Sequence, residues 1–283
     1  FSNFSYKLPN ARRQDEKKQN LSYSLFYSFD NRYYLDAVFS YSGIMNLPAD
    51  NRFEFFPTVG AGWVISEESF LKENELINFL KIRASYGSMG YFNNNNLFLY
   101  RTFWDYGNWV NFNNRTETAS GSYRGTILAQ LGNQAIGWGE QKELNLGMDA
   151  VLFNSISIGF DYFDISREGI IMNTPVPAIV GTQSYMDNIG VTNFSGFDLS
   201  LNYTYKQNDR LAISVGLNAG HYVSEVVESN ELDYPFPWIG SEGRPSDAIY
   251  GLEADGLLTD ADIEGETDQL FGPVSAGNIK YKA

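Results

Sequence analysis

Leu21-Ser22-Tyr23-Ser24-Leu25-Phe26-Tyr27-Ser28-Phe29, a break at Asp30-Asn31-Arg32, then Tyr33-Tyr34-Leu35-Asp36-Ala37-Val38-Phe39-Ser40-Tyr41: this stretch decides the fold. Leu21, Tyr23, Leu25, Tyr27 and Phe29 alternate with Ser22, Ser24 and Ser28. Tyr33, Leu35, Ala37, Phe39 and Tyr41 then alternate with Asp36, Ser40 and, just beyond, Ser42. The pattern returns as Leu144, Leu146, Met148, Ala150 and Leu152 against Glu143, Asn145, Gly147 and Asp149. A period of two held over about ten residues marks a strand with one apolar and one wet face. Repeated many times with aromatic ends, it points to an outer-membrane β-barrel, apolar outside and polar within.

Composition agrees. No apolar run is long enough for a membrane helix, which needs about 18 consecutive residues. Aromatics make up 16% of the chain, with 19 Tyr and 21 Phe, more than a soluble core requires. Tyr and Trp suit membrane interfaces because their rings are apolar and their polar tips seek water. A net charge of −14 argues against nucleic acid as a partner and against adhesion to an anionic leaflet. The absence of cysteine removes disulfides and thiolate metal sites.

Alternation locates strands near 20–29, 33–43, 53–65, 79–87, 142–153, 156–165, 195–206 and 210–222. Their connections broadly alternate between short and long, with 88–141 the longest. Barrels sort their loops this way, short at the periplasmic rim and long outside. Residues 1–222 are therefore expected to form a wall segment, followed by a long tail from 223. The medium connection at 66–78 is expected to hold a helical turn capped by Ser66. The chain opens in a polar stretch without an initiator Met or signal peptide, so an internal piece of a longer protein is expected. A self-contained eight-stranded adhesin or structural barrel, and a soluble carbohydrate-binding β-sandwich, stay open on these residues alone.

Several blocks carry a family resemblance. Phe55-Phe56-Pro57-Thr58-Val59-Gly60-Ala61-Gly62-Trp63-Val64-Ile65-Ser66-Glu67-Glu68 resembles the "FFPSVSAGWRISEE" signature of SusC-like TonB-dependent outer-membrane transporters, the RagA/SusC family. Arg32-Tyr33-Tyr34-Leu35-Asp36-Ala37, Leu80-Lys81-Ile82-Arg83-Ala84-Ser85-Tyr86-Gly87 and Glu143-Leu144-Asn145-Leu146-Gly147-Met148-Asp149 fall in family order around it. So do Asn188-Ile189-Gly190, Glu242-Gly243-Arg244-Pro245 and Ile249-Tyr250-Gly251-Leu252-Glu253-Ala254-Asp255-Gly256-Leu257. Val64 replaces the usual basic residue, and Gln134-Ala135-Ile136-Gly137-Trp138-Gly139 is a loose version of an "NPDLKWE"-like motif. The resemblance implies an all-β fold: a C-terminal portion of a large antiparallel barrel of about 22 strands with a plugged lumen, in which 223–283 is a late extracellular segment that stops before the last strands. It further implies a SusD-like surface lipoprotein as lid, TonB engaged through a missing N-terminal part, and import of oligosaccharides or peptides.

No catalytic constellation is legible, and no enzyme activity or cofactor is indicated. His221 is the only histidine, so a multi-histidine metal site is unavailable; its place at a strand end suggests an interfacial or lumenal role. Asp260-Ala261-Asp262-Ile263-Glu264-Gly265 begins like a calcium loop, but the position that should close it is Phe271. The competing reading is a short helix capped by Thr259. Trp104, Tyr106, Trp109 and Phe112 in the long loop, with Trp238, are candidate ligand contacts, since aromatic faces stack on sugar C–H surfaces. Loop packing or docking of the lid would use the same rings. Asp36, Lys81, Arg83, Asp149, Asp161 and Asp198 are expected on the wet face, either guiding a polar ligand or pairing among themselves.

Overall fold

The computed structural model describes residues 2–6, 14–92, 98–112, 121–182, 185–208, 211–231, 234, 239–264 and 275–282. Its strands are β1 (Ser2–Tyr6), β2 (Gln14–Phe29), β3 (Tyr33–Ile44), β4 (Phe53–Val64), β5 (Ile77–Tyr91), β6 (Phe103–Phe112), β7 (Gly121–Gln130), β8 (Gly139–Leu152), β9 (Ile156–Asn173), β10 (Met186–Asn208), β11 (Leu211–Glu228), β12 (Ala254–Leu257) and β13 (Ile279–Tyr281). One short helix, α1, covers Asp260–Glu264. Nine strands make one sheet in the order β1-β2-β3-β4-β5-β8-β9-β10-β11, antiparallel throughout. Chain neighbours are sheet neighbours except where the β6–β7 hairpin loops out between β5 and β8.

The strands read from alternation are present as β2 to β5 and β8 to β11, and most run further than their alternation does. β9 continues to Asn173 and β10 starts at Met186, so paired backbone replaces much of the loop expected at 166–194. The 88–141 segment likewise contains the β6–β7 hairpin, and β11 runs past residue 222 to Glu228. These extensions have a common cause. Beyond the bilayer both faces of a strand meet water, so ladder hydrogen bonds persist while the two-residue pattern is no longer demanded.

Tight turns close one rim. Asp30 and Asn31 both take positive φ (53° and 54°), and the Arg32 N–H donates to the Phe29 carbonyl at 3.0 Å. This is the primed turn that matches strand twist, and Asp and Asn tolerate it. Ser66 does not cap the next connection. It lies buried inside a 3-10 turn at Ile65–Glu67, whose N-cap is Val64, and its hydroxyl lacks a hydrogen-bond partner. The residue that organises this rim is Glu68. Its carboxylate accepts from the Tyr33 hydroxyl (2.5 Å), the Trp63 indole N–H (3.1 Å) and Arg32 Nη1 (3.2 Å). The Tyr33 and Trp63 donors, then Arg32, hold the Glu68 carboxyl below its usual range.

Register sorts the faces. Leu25, Ala37, Val59, Tyr86 and Leu144 share one side; Ser85, Asn145 and Phe163 share the other. Among the described residues the apolar side is largely uncovered: Leu25 and Leu35 are each 49% exposed, and Leu217 is 59% exposed. Aromatic rungs line its margins, with Tyr41 stacked on Phe53 (5.3 Å) and Phe39 on Phe55 (5.9 Å). From Tyr33 to Tyr41 the strand has the length of about 9–11 residues that a tilted membrane strand uses. His221 sits on this outward side opposite Phe197, with ring centroids 6.1 Å apart.

Beyond β11, β12 and β13 pair around buried Leu258. Here the helical reading holds for 260–264. Asp262 N–H donates to Thr259 Oγ1, while Asp262 Oδ2 accepts from the Thr259 N–H (2.9 Å) and hydroxyl (2.7 Å), a reciprocal cap. Lys280 Nζ completes the set at 2.7 Å from Asp262 Oδ1. Gly265 and Phe271 lie outside the described residues.

Two outcomes follow from this architecture. In the full-length protein, Leu146→Arg should cost about 2–4 kcal/mol on folding into phosphatidylcholine vesicles, as an arginine at the lipid midplane does; Asn145→Arg, on the wet face, should cost little. Lys280 and Thr259 hold the Asp262 carboxyl well below the usual carboxylate range. That stabilisation is present above the unfolded value, near 3.9, and is lost as pH falls through the lower folded one. Asp262→Asn should therefore speed hydrogen exchange of the Leu258 and Gly277 amides at pH 7, and the gap from wild type should close as the pH drops below the carboxylate range.

Candidate functional site

The wet face is built on glycine. Lys81 of β5 leans over Gly62 of β4, where an added Cβ would stand 3.2 Å from Lys81 Cε; its ammonium lies 5.1 Å from the Tyr34 ring centre. Arg83 leans the other way over Gly147 of β8, where a Cβ would meet the guanidinium at 2.5 Å. With that lane clear, Arg83 crosses a whole strand. Its Nε donates to Asp149 Oδ2 at 3.1 Å, and Nη2 donates to Asp161 Oδ2 on β9 at 2.7 Å. Asp161 faces Asp198 of β10 in register, so this cation offsets repulsion between carboxylates on adjacent strands. A cavity of about 170 Å³ opens between Tyr34, Asp36, Gly60, Lys81 and Arg83. Of the six expected lumenal charges, Arg83, Asp149 and Asp161 pair directly, Lys81 uses a ring, and Asp36 borders the cavity.

The long-loop rim holds a fully buried apolar cluster, Ile44, Leu47, Leu99 and Ile136, with Phe92, Trp138, Ile171 and Met186 packed on it. Side-chain amides fasten its loops to one another. Asn51 Nδ2 donates to the Ala135 and Ile136 carbonyls, both at 3.1 Å. Asn133 Nδ2 donates to the Met186 carbonyl (3.0 Å) and Asp187 Oδ1 (2.9 Å). Asn188 accepts from the Gly137 N–H and donates back to its carbonyl. Trp138 donates its indole N–H to the Arg52 carbonyl at 3.0 Å and meets Phe56 edge-on at 5.7 Å. The 134–139 segment is thus a rigid platform above the wall. Sequence reading missed these asparagines, because an amide that ties loop backbone carries no periodic signal.

The candidate aromatics divide. Trp104 (66% exposed) and Tyr106 (67%) lie two residues apart on β6, hence on one face of the hairpin, and both are largely exposed. Gln130 Nε2 ties the hairpin base to the Arg101 carbonyl at 3.0 Å. Trp109 and Phe112 belong to β6, in register with Arg124 and Gly121 of β7, but their side chains, like Trp238 as a whole, lie outside the described residues.

A meander of long strands with one face open to lipid, a wet face laid with charges and glycines, short turns at one rim and built-up loops at the other defines the wall of a wide outer-membrane β-barrel. Comparison with known proteins narrows the class. No protein-family model matches the chain. Among curated proteins it is 26% identical over 264 residues to TonB-dependent receptor P3 of Formosa agariphila, a match covering 89% of this chain and 26% of that protein. To TonB-dependent receptor SusC of Bacteroides thetaiotaomicron it is 26% identical over 217 residues, 70% of this chain and 21% of that one. Among solved structures, the RagAB peptide importer in its closed-closed state superposes with a TM-score of 0.72 at 24% identity, covering 98% of this chain and 30% of that one. The open-open state gives 0.71 at 25% identity, covering 89% and 27%. The similarity to SusC-like TonB-dependent receptors read from the sequence blocks is borne out, and the fold is that of part of an outer-membrane β-barrel like theirs. The chain spans about a quarter of the length of the curated relatives it matches.

Arg83 and Asp161 are about one-third exposed (36% and 28%), so screening trims their pairing. A double-mutant cycle with Arg83→Ala and Asp161→Asn in the full-length protein should give a coupling of about 1 kcal/mol in urea-induced unfolding. Additive single effects would mean that the lane holds no bound pair.

Proposed function

We propose that this chain forms part of the barrel subunit of a SusC/SusD-type complex importing oligosaccharides across the outer membrane. The observation that carries this reading is the division of one sheet into an uncovered apolar face and a wet face crowned by an amide-tied platform. Such a wall is inert toward lipid and leaves a polar passage with a shaped mouth. The exposed pair Trp104 and Tyr106 supports a saccharide ligand, because two rings on one face of a hairpin present apolar surface to sugar C–H faces. Energy would come from an inner-membrane motor through TonB, reached by parts of the protein outside this chain. A SusD-like lipoprotein would close the mouth, and outer-membrane lipids would cover the apolar face. The chain's part is passage without chemistry: it neither makes nor breaks a bond in the ligand. Peptide import is the second reading, favoured by the likeness to a peptide importer.

The test is uptake by cells carrying the full-length protein. Entry of fluorescently tagged hexasaccharides of maltose, cellobiose and xylose type should require both the protein and the proton-motive force. Trp104→Ala with Tyr106→Ala should lower it severalfold without lowering the amount of protein in the outer membrane. Entry unaffected by a protonophore would contradict energised import. Energised entry of a tagged peptide digest, with none of the sugars, would establish the peptide reading instead.

A further inference from the structure

We infer that the cavity of about 320 Å³ between the inner side of β2–β3 and Trp138 is a binding subsite for one saccharide ring. The inference rests on the import reading above and adds a place and a chemistry to it. One wall is aromatic, formed by Phe92 and Trp138; the other carries Lys18, Asn20 and Ser42 beside Ile44, which alternation puts on the inner face of β2 and β3. Gly43 and Gly90 complete the lining, and the lanes above them are taken by the Phe53 and Phe56 rings.

Both walls are fixed before any ligand arrives. Trp138 cannot swing, being bonded to the Arg52 carbonyl through its N–H, set edge-on against Phe56, and packed on the buried rim cluster. Asn20 is oriented by the hydroxyls of Ser22 (2.6 Å) and Ser40 (3.4 Å), which both donate to its Oδ1. Its Nδ2 hydrogens are then the donors that Asn20 has to offer a ligand. Preorganised walls reduce the ordering cost of binding, and the volume lies at the lower end of the about 300–1,000 Å³ range of ligand sites.

The pairing of walls selects the ligand. A sugar ring has C–H faces that suit an aromatic surface and a rim of hydroxyls that both donate and accept. Amide and hydroxyl side chains answer those hydroxyls in either sense. An apolar peptide side chain would satisfy Phe92 and Trp138 but would leave Asn20 and Ser42 without partners from the ligand. The chemistry therefore favours a hydroxyl-bearing ring, whose oxygens can also accept from the Lys18 ammonium. The cavity also lies on the passage side of the wall beside the platform, where a ligand leaving the mouth would next make contact.

The experiment is isothermal titration of the full-length transporter, purified with its lid partner, against maltohexaose, cellohexaose, xylohexaose and mannohexaose, with a tryptic casein digest as the peptide arm. At least one hexaose should bind. Trp138→Ala should weaken it tenfold or more, while Trp138→Phe keeps most of the affinity. Because Trp138 also supports the rim, Asn20→Ala with Ser42→Ala provides a second variant, on the polar wall; it should weaken the same sugar severalfold, with folding checked by heat-modifiable gel migration. Absence of binding by every hexaose overturns the saccharide assignment, as does peptide binding that these variants weaken. Hexaose binding that none of the variants alters removes the subsite. Energised uptake separates the two readings, since it persists when only the subsite is wrong and is lost when import itself is wrong.

Discussion

A backbone surrounded by hydrocarbon has no water to bond, so each N–H and C=O in the bilayer must find a partner within the protein. In this chain the antiparallel ladder from β1 to β11 meets that demand laterally, strand to strand. The rest of the architecture follows from it. Side chains then take opposite faces by geometry alone, and the choice of Leu, Val and Phe at one set of positions and Ser, Gly and Asp at the other decides which face meets lipid. No conventional core is needed across the wall, and the fully buried apolar cluster stands at its rim. The edges of β1 and β11 carry the same demand, which in a barrel is met by further strands.

The wet face shows what the lateral ladder leaves free. Facing positions on neighbouring strands are close together, so a long side chain can reach across a strand only where its neighbour has no side chain in the way. Gly62 and Gly147 provide that clearance on either side of β5, letting Lys81 and Arg83 lean in opposite directions from adjacent lumenal positions. Charge is thereby spread over four strands instead of collecting at one point. The mouth obeys a different rule. Its loops lack a ladder, and asparagine side chains supply the bonds that strands make for themselves: Asn51, Asn133 and Asn188 reach across to loops distant in sequence.

Legibility in the sequence tracks these two rules. Within the bilayer, Leu21 to Phe29 and Tyr33 to Tyr41 announce their strand, face and length, because lipid enforces a strict period. Past the bilayer the period lapses. Arg167-Glu168-Gly169-Ile170-Ile171-Met172 shows no alternation, yet pairs with Asn188, Gly190 and their neighbours through two register shifts. Thr259 was readable as a cap because its partner sits three residues on, whereas Ser66 matched only half of that motif and lies inside its turn. The lumenal charges were legible as a set, but Arg83's choice of Asp149 and Asp161 depends on sheet order across a long insertion. The mouth cavity was not legible, since Asn20, Phe92 and Trp138 meet only in three dimensions. The aromatic run after Tyr91 was visible, but not that Trp104 and Tyr106 would share one open face of a hairpin.

The most direct test of the account uses the absence of cysteine from these 283 residues. Single cysteines introduced in turn from Glu143 to Leu152 in the full-length protein, spin-labelled in native outer membrane, can be ranked by collision with oxygen and with a water-soluble nickel chelate. A barrel wall requires a strict two-residue alternation, with Leu144, Leu146, Met148 and Ala150 open to oxygen and Glu143, Asn145, Gly147 and Asp149 open to nickel. Uniform access along β8, or nickel access at the leucines, would mean that the apolar face does not meet lipid, and would contradict the barrel wall on which everything else rests.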